Sequence, residues 1–316
     1  GFGDFVGFQS AWTYWIGAWV GVGAIASSLV VYLGVLIPPV VENRLLSTVV
    51  AVGAIAVLTF LNTQGVVTGG LVSLILTILK VVPLLLIGTL GFIAFDASNL
   101  GPFNASGLPP LEVLTAVMAY TLFSFIGVEA ATIPAGDVHE PDKTIPRATM
   151  IGTIAAAAVY LLSTTAVFGA VEQSELANSD AAFSVAAANM FGDWASDAVA
   201  VVAVISCLGA MNGLLLLSGQ IPMAAEFDGL APKVFGKLNI RHAPGTGLII
   251  SGLLAAGILA LSFGGGGLGD AVAQLVLVSA VATMVSYAFS AGAEIKWLAL
   301  DKGKVPEAVI ARIPAE

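Results

Sequence analysis

The chain has 316 residues, of which 58% are hydrophobic and only 10% charged, and its formal net charge is −9 at pH 7. A soluble globular domain carries about 25% charged residues, so composition sets soluble enzymes and nucleic-acid-binding modules aside. The acids are spread over short loops and helix ends with no acidic tail, so the negative charge does not mark an acidic interaction surface.

Apolar stretches of about 20 residues are long enough to cross a bilayer as helices. Eight are read, at about 8–33, 46–65, 70–95, 110–136, 149–171, 195–224, 245–263 and 270–298. They predict one multi-pass, all-α integral membrane domain over residues 1–316, with the lipid bilayer as its surroundings. "GFGDFVGF" at the start reads as a loop entering the first stretch, and "DKGKVPEAVIARIPAE" at the end as a polar linker. The expectation is a piece of a longer protein. Gly17 and Gly21 in the first stretch allow close helix packing.

The third stretch carries Lys80 inside "LVSLILTILKVVPLLLIGTLGF". It lies about ten residues in, roughly 15 Å of helix, too deep for its ammonium to reach the interface easily. A charge at that depth costs at least ~2.5–3.5 kcal/mol on insertion scales. It must meet a partner, face a cavity or lose its proton. The competing reading is a lysine that ties helices together through backbone carbonyls.

The fourth stretch, "FSFIGVEAATIPAGDVHEPDKTIPRA" from residue 123, carries Glu129 two positions after Gly127. A carboxyl at membrane depth is neutral when dry and ionised when wet. Glycine loosens the helix there, and the half-helix before a break ends in free carbonyls with partial negative charge. A ligand ammonium group is favoured at that end. The competing reading is a packing acid bonded to a tyrosine.

The sixth stretch contains "CLGAMNGLLLLSG" (207–219), again with internal glycines. Loosened helices are tolerated in lipid where the freed backbone lines a protein cavity, a transporter feature. The single Cys207 reads as a small buried filler. "GGGGLG" (264–269) follows a membrane helix rather than a strand, so it is a tight turn and not a dinucleotide loop. Asp4 and Asp270 stand at segment ends, not facing each other inside the membrane as a protease pair would.

Basic residues set the orientation. Lys143, Arg147, Lys233, Lys237, Arg241, Lys296, Lys302, Lys304 and Arg312 share one side of the eight-span arrangement, with only Arg44 on the other. Positive residues mark the cytoplasmic side. Both chain ends are therefore expected in the cytoplasm, with the linkers 95–107 and 171–180 outside.

"FSFIGVEAATIPAGDVHEPDKTIPRA", "SGQIPMAAEFDGLAPKVFGKLNIRHAPGTG" (218–247) and "GFGDFVGFQSAWTYWIGAWVG", in this order, resemble amino acid–polyamine–organocation transporters along essentially the whole chain. The nearest form is that of the basic amino acid and polyamine antiporters, including the arginine–agmatine exchanger. The resemblance implies a fold of twelve helices with two inverted five-helix repeats (5+5) and broken helices. The eight stretches correspond to helices three to ten, truncated at both ends, and helix one, which in the family holds the substrate carboxylate, lies outside them.

By resemblance the substrate bed falls on Phe123, Ile126, Leu214, Ala18, Val22 and Ser279, and the inner gate on Tyr14, Glu129 and Tyr287. The carbonyls around Ser124 to Gly127 would meet the substrate's amino group. Phe123 and Leu214 stand where the arginine–agmatine exchanger has tryptophans, and Val22 replaces a polar amide. A cation loses its best π surface in such a bed, which favours a less charged or more apolar amino acid. Lys80 resembles the lysine of proton-coupled, sodium-independent carriers.

The expected function is secondary active amino acid transport by alternating access in the cell's inner membrane, proton-coupled or exchanging, with no cofactor or metal. The partners are an amino acid or polyamine substrate and the proton, with a homodimer as a candidate assembly. The alternative within the class is amino acid/polyamine antiport without net proton flux. A membrane enzyme is disfavoured because His139 and His242 both lie in cytoplasmic loops. A channel is disfavoured for want of repeated rings of charge or carbonyls.

Overall fold

The computed structural model describes residues 2–65, 70–129, 138–265 and 267–299. Residues 130–136 of the fourth apolar stretch and the basic residues Lys302, Lys304 and Arg312 lie outside the described residues. The described residues are helical and contain no strand.

The long helices are α1 (Asp4–Leu36), α3 (Arg44–Thr63), α4 (Gly70–Leu90), α6 (Pro141–Ala170), α9 (Asp193–Phe227), α10 (Gly245–Gly265) and α11 (Leu268–Ala299). Among the described residues these seven are long and apolar enough to cross a membrane. Between them lie the short α2 (Pro39–Glu42), α7 (Gln173–Ala177) and α8 (Ala182–Phe191), and the 16-residue α5 (Pro110–Phe125). Helix starts follow local chemistry. Asn43 caps α3 by accepting from the Leu46 N–H at 3.2 Å. Prolines open α2, α5 and α6, where a missing N–H costs nothing.

Helix α1 lies at the centre, packed on α11, α9, α10 and α3. Lipid tails are as apolar as leucine, so helices in a bilayer associate through close packing and hydrogen bonds rather than through a hydrophobic drive. Both are present. A Cβ on Gly17 would stand 2.2 Å from Thr283 Oγ1 and 3.1 Å from the Ser279 carbonyl, so only glycine allows α1 to cross α11 this closely. Val22, Met211, Leu215 and Leu259 are fully buried where α1, α9 and α10 meet. Trp15 Nε1 donates to Ser251 Oγ at 2.8 Å, and Ser251 Oγ donates to the Ser218 carbonyl at 3.1 Å, joining α1, α10 and α9. Asn62 Nδ2 donates to Asn212 Oδ1 at 2.8 Å and joins α3 to α9. Such bonds contribute about 0.6 kcal/mol each in membranes, so they fix register more than they add stability.

Candidate functional site

Helix α5 stops at Phe125. Ile126 is extended at φ −62°, ψ 133°, and Gly127 has φ 104°, a region that disfavours any residue with a Cβ. The chain leaves the helix at these two residues, and Glu129 follows directly. One Glu129 oxygen, Oε2, accepts the Gly127 N–H at 2.9 Å, and the other, Oε1, accepts the Tyr14 hydroxyl at 2.5 Å. One carboxylate therefore bridges the backbone of the break and the central helix α1. The Tyr287 ring of α11 lies against Tyr14, with centroids 6.5 Å apart. The structure thus brings all three predicted gate residues together.

Neighbouring hydroxyls extend this contact along α1 and α11. Thr13 Oγ1 is 3.0 Å from Ser286 Oγ, which donates to the Ser10 carbonyl at 2.5 Å. Ser279 Oγ donates to the Gly17 carbonyl at 2.7 Å. Ser279, Thr283 and Ser286 recur at helical spacing, so one stripe of α11 faces α1.

Five of the residues expected in the substrate bed meet around Gly21 and its neighbours on α1. A Cβ built on Gly21 would lie 3.1 Å from Ser279 Oγ, 3.2 Å from Leu214 Cδ1 and 3.7 Å from Phe123 Cε2. Ala18 and Val22, on either side of Gly21, are buried, and Leu214 packs against the clusters containing each of them. Gly21 was legible only as a packing glycine. Here it is the point on α1 that lets side chains of three other helices converge closely.

The other predicted residues are placed differently. Ile126 forms the break itself. The Ser124 side chain is exposed and its hydroxyl donates back to the Tyr120 carbonyl at 3.2 Å. The Ser124 carbonyl accepts the Tyr160 hydroxyl of α6 at 3.1 Å. Tyr160 gave no signal in the sequence beyond one hydroxyl in an apolar run. Lys80 stands midway along α4, which packs on α6 and α9, with its side chain exposed and no hydrogen bond or ion pair to a described residue. The structure does not bring it to the bed or the gate.

A multi-pass helical membrane protein with a helix that ends at a glycine, a small-residue helix facing that end and a tyrosine–carboxylate contact across it is the class these features define. The chain belongs to the amino acid permease family, whose model matches residues 1–299. It is similar to the cadaverine/lysine antiporter of Escherichia coli (strain K12), at 28% identity over 289 residues, covering 90% of this chain and 65% of the relative. It is also similar to the putrescine transporter PotE of Haemophilus influenzae, at 31% over 254 residues, covering 78% of this chain and 57% of the relative. The arginine/ornithine antiporter ArcD2 of Lactococcus lactis is 31% identical over 281 residues, covering 80% of this chain and 56% of the relative. The chain thus spans between 56% and 65% of the length of these relatives. The family and these relatives are transporters, not enzymes.

Proposed function

We propose that this chain forms the central part of a secondary active amino acid transporter of the inner membrane, working by alternating access with both ends of the chain in the cytoplasm. The observation that carries this reading is the Glu129 carboxylate, which holds the Gly127 break and the Tyr14 hydroxyl at once. A group that links a broken helix to a packed one couples local rewinding to helix movement. In the closed state Glu129, Tyr14 and Tyr287 shut the cytoplasmic path. The substrate lies beyond them on Ala18, Gly21, Val22, Leu214 and Ser279, with Phe123 over it and its amino group toward the carbonyls at the break.

The bed is apolar apart from one hydroxyl, while the relatives are named for lysine, cadaverine, putrescine, arginine and ornithine. A phenylalanine face binds a cation less well than tryptophan does. The substrate read from the bed is therefore an amino acid with less side-chain charge than those. Lys80 is proposed as the proton-coupling group, acting from α4 at membrane depth. The second reading, exchange without net proton flux, is favoured by the antiporter names of two relatives. A homodimer is the proposed assembly.

The test is uptake of labelled amino acids and diamines by liposomes holding the complete protein, with and without a pH gradient. Uptake of an uncharged-side-chain amino acid accelerated by an inward proton gradient supports the first reading. Uptake driven only by internal substrate supports the second. Uptake of neither class removes both.

A further inference from the structure

The carbonyls at the end of a helix point along its axis and lack partners in a next turn. In α5 they point into the break, where their partial negative charge attracts cations. Two of them are already occupied. The Phe123 carbonyl accepts the Ile126 N–H at 3.2 Å, and the Ser124 carbonyl accepts the Tyr160 hydroxyl at 3.1 Å. Tyr160 comes from α6, 36 residues further along the chain, and its ring meets Phe125 edge-on, with centroids 5.5 Å apart at 72°. The Ser124 hydroxyl is turned back to Tyr120, so it does not compete. Both oxygens of the nearby Glu129 carboxylate are also engaged, by Tyr14 and Gly127.

We propose that Tyr160 is a specificity-determining residue: its hydroxyl takes one lone pair of the Ser124 carbonyl and weakens that acceptor for a second ammonium group on the substrate. This rests on the transporter reading and deepens it. An amino acid with one ammonium group needs few acceptors at the break. A diamine needs acceptors for two cations, and each ammonium brings three donors. A carbonyl that already accepts a hydroxyl has one lone pair left for the second cation and holds it less firmly. Tyr160 therefore biases the bed toward substrates with a single ammonium group. It does so without touching them, by sharing an acceptor that a cation would otherwise have to itself. The apolar faces of Phe123 and Leu214 work in the same direction.

Tyr160→Phe keeps the ring against Phe125 and removes only the donor. Binding of leucine and of cadaverine to the complete purified protein, parent and variant, is measured by competition against a labelled substrate found in the uptake panel. The expected result is a shift of the leucine-to-cadaverine affinity ratio by about fivefold or more toward cadaverine. A merely structural tie would weaken both ligands together, so an unchanged ratio overturns the proposal. If Tyr160→Phe does not fold, Tyr160→Met, which also lacks the donor, is read the same way. A parent that binds no member of the panel fails the transporter reading itself, whereas a parent that binds with an unmoved ratio fails only the role of Tyr160.

Discussion

Glu129 shows how far a single residue can be read from sequence. Its place two residues after a glycine in an apolar run was enough to single out the point where α5 leaves the helix, because neither residue belongs in a plain span. Its two readings, gate and packing acid bonded to a tyrosine, meet in one geometry, the bond to Tyr14. Glu129→Gln keeps the shape and one hydrogen bond but cannot titrate. It is expected to retain substrate binding within a few-fold while flattening the pH dependence of uptake, measured in liposomes across pH 5 to 8; identical profiles would leave only packing. Phe123 belongs at the same scale. Phe123→Ala removes apolar contact worth roughly 1.5–3 kcal/mol when fully buried, so binding should weaken about tenfold or more. Phe123→Trp should improve arginine relative to the native substrate. Unchanged affinity and selectivity in both variants would make Phe123 a core residue. Lys80→Ala should still bind substrate yet lose acceleration by an inward proton gradient, and uptake that still rises as in the parent would reduce Lys80 to a structural lysine.

At the scale of elements, apolar length alone found the long helices, since a segment crossing lipid must satisfy its own backbone. The short ones were not legible. Helix α8 (Ala182–Phe191) has the length of a loop segment and exists by packing its Ser184, Ala186 and Ala187 face into the bundle, mainly on α9. The bond from Tyr160 to the Ser124 carbonyl was equally hidden, because nothing local relates two residues 36 positions apart. The α1–α11 crossing gives a direct packing test. Gly17→Ala places a methyl group against Thr283 Oγ1, and overpacking of this kind costs about 1–3 kcal/mol. Thermal unfolding in detergent should show a lower midpoint, partly restored in the Gly17→Ala, Thr283→Ala double variant; no loss in the single variant would mean a looser crossing.

The turn after α4 offers a pH test outside the membrane helices. Hydrogen bonds from the Ser98 hydroxyl and then its N–H, at 2.7 and 2.9 Å, hold the Asp96 carboxyl below its usual 3.8. A lowered value means that the stabilising effect is fully present above pH 3.8 and is lost as pH falls through the lowered value. Hydrogen exchange at the Ser98 amide should show that protection at neutral pH and lose it in acid, and Asp96→Asn should remove the pH dependence. Exchange independent of pH in the parent, after correction for intrinsic rates, would refute the cap.

For the whole molecule, the bias of basic residues and the family resemblance underlie the proposed orientation and mode of action, and the bed underlies the proposed substrate class. Cysteines placed at Ser174 or Asn104 should react with an impermeant reagent in intact cells and one at Lys237 should not; labelling at Lys237 would reverse the orientation. The substrate was less legible than the fold, because Phe123, Leu214 and Ser279 are common apolar or hydroxyl residues that only the resemblance singled out, and their convergence on Gly21 is visible only in the structure. The central claim is a carrier that exposes one site alternately to two sides. The measurement that tests it most directly is counterflow: liposomes containing the complete protein are loaded with unlabelled amino acid, and entry of trace labelled amino acid is followed. Transient accumulation of label above its external concentration, absent from empty-loaded liposomes, is the predicted result. Label entry at the same rate whether or not the liposomes are loaded, without saturation, would contradict it.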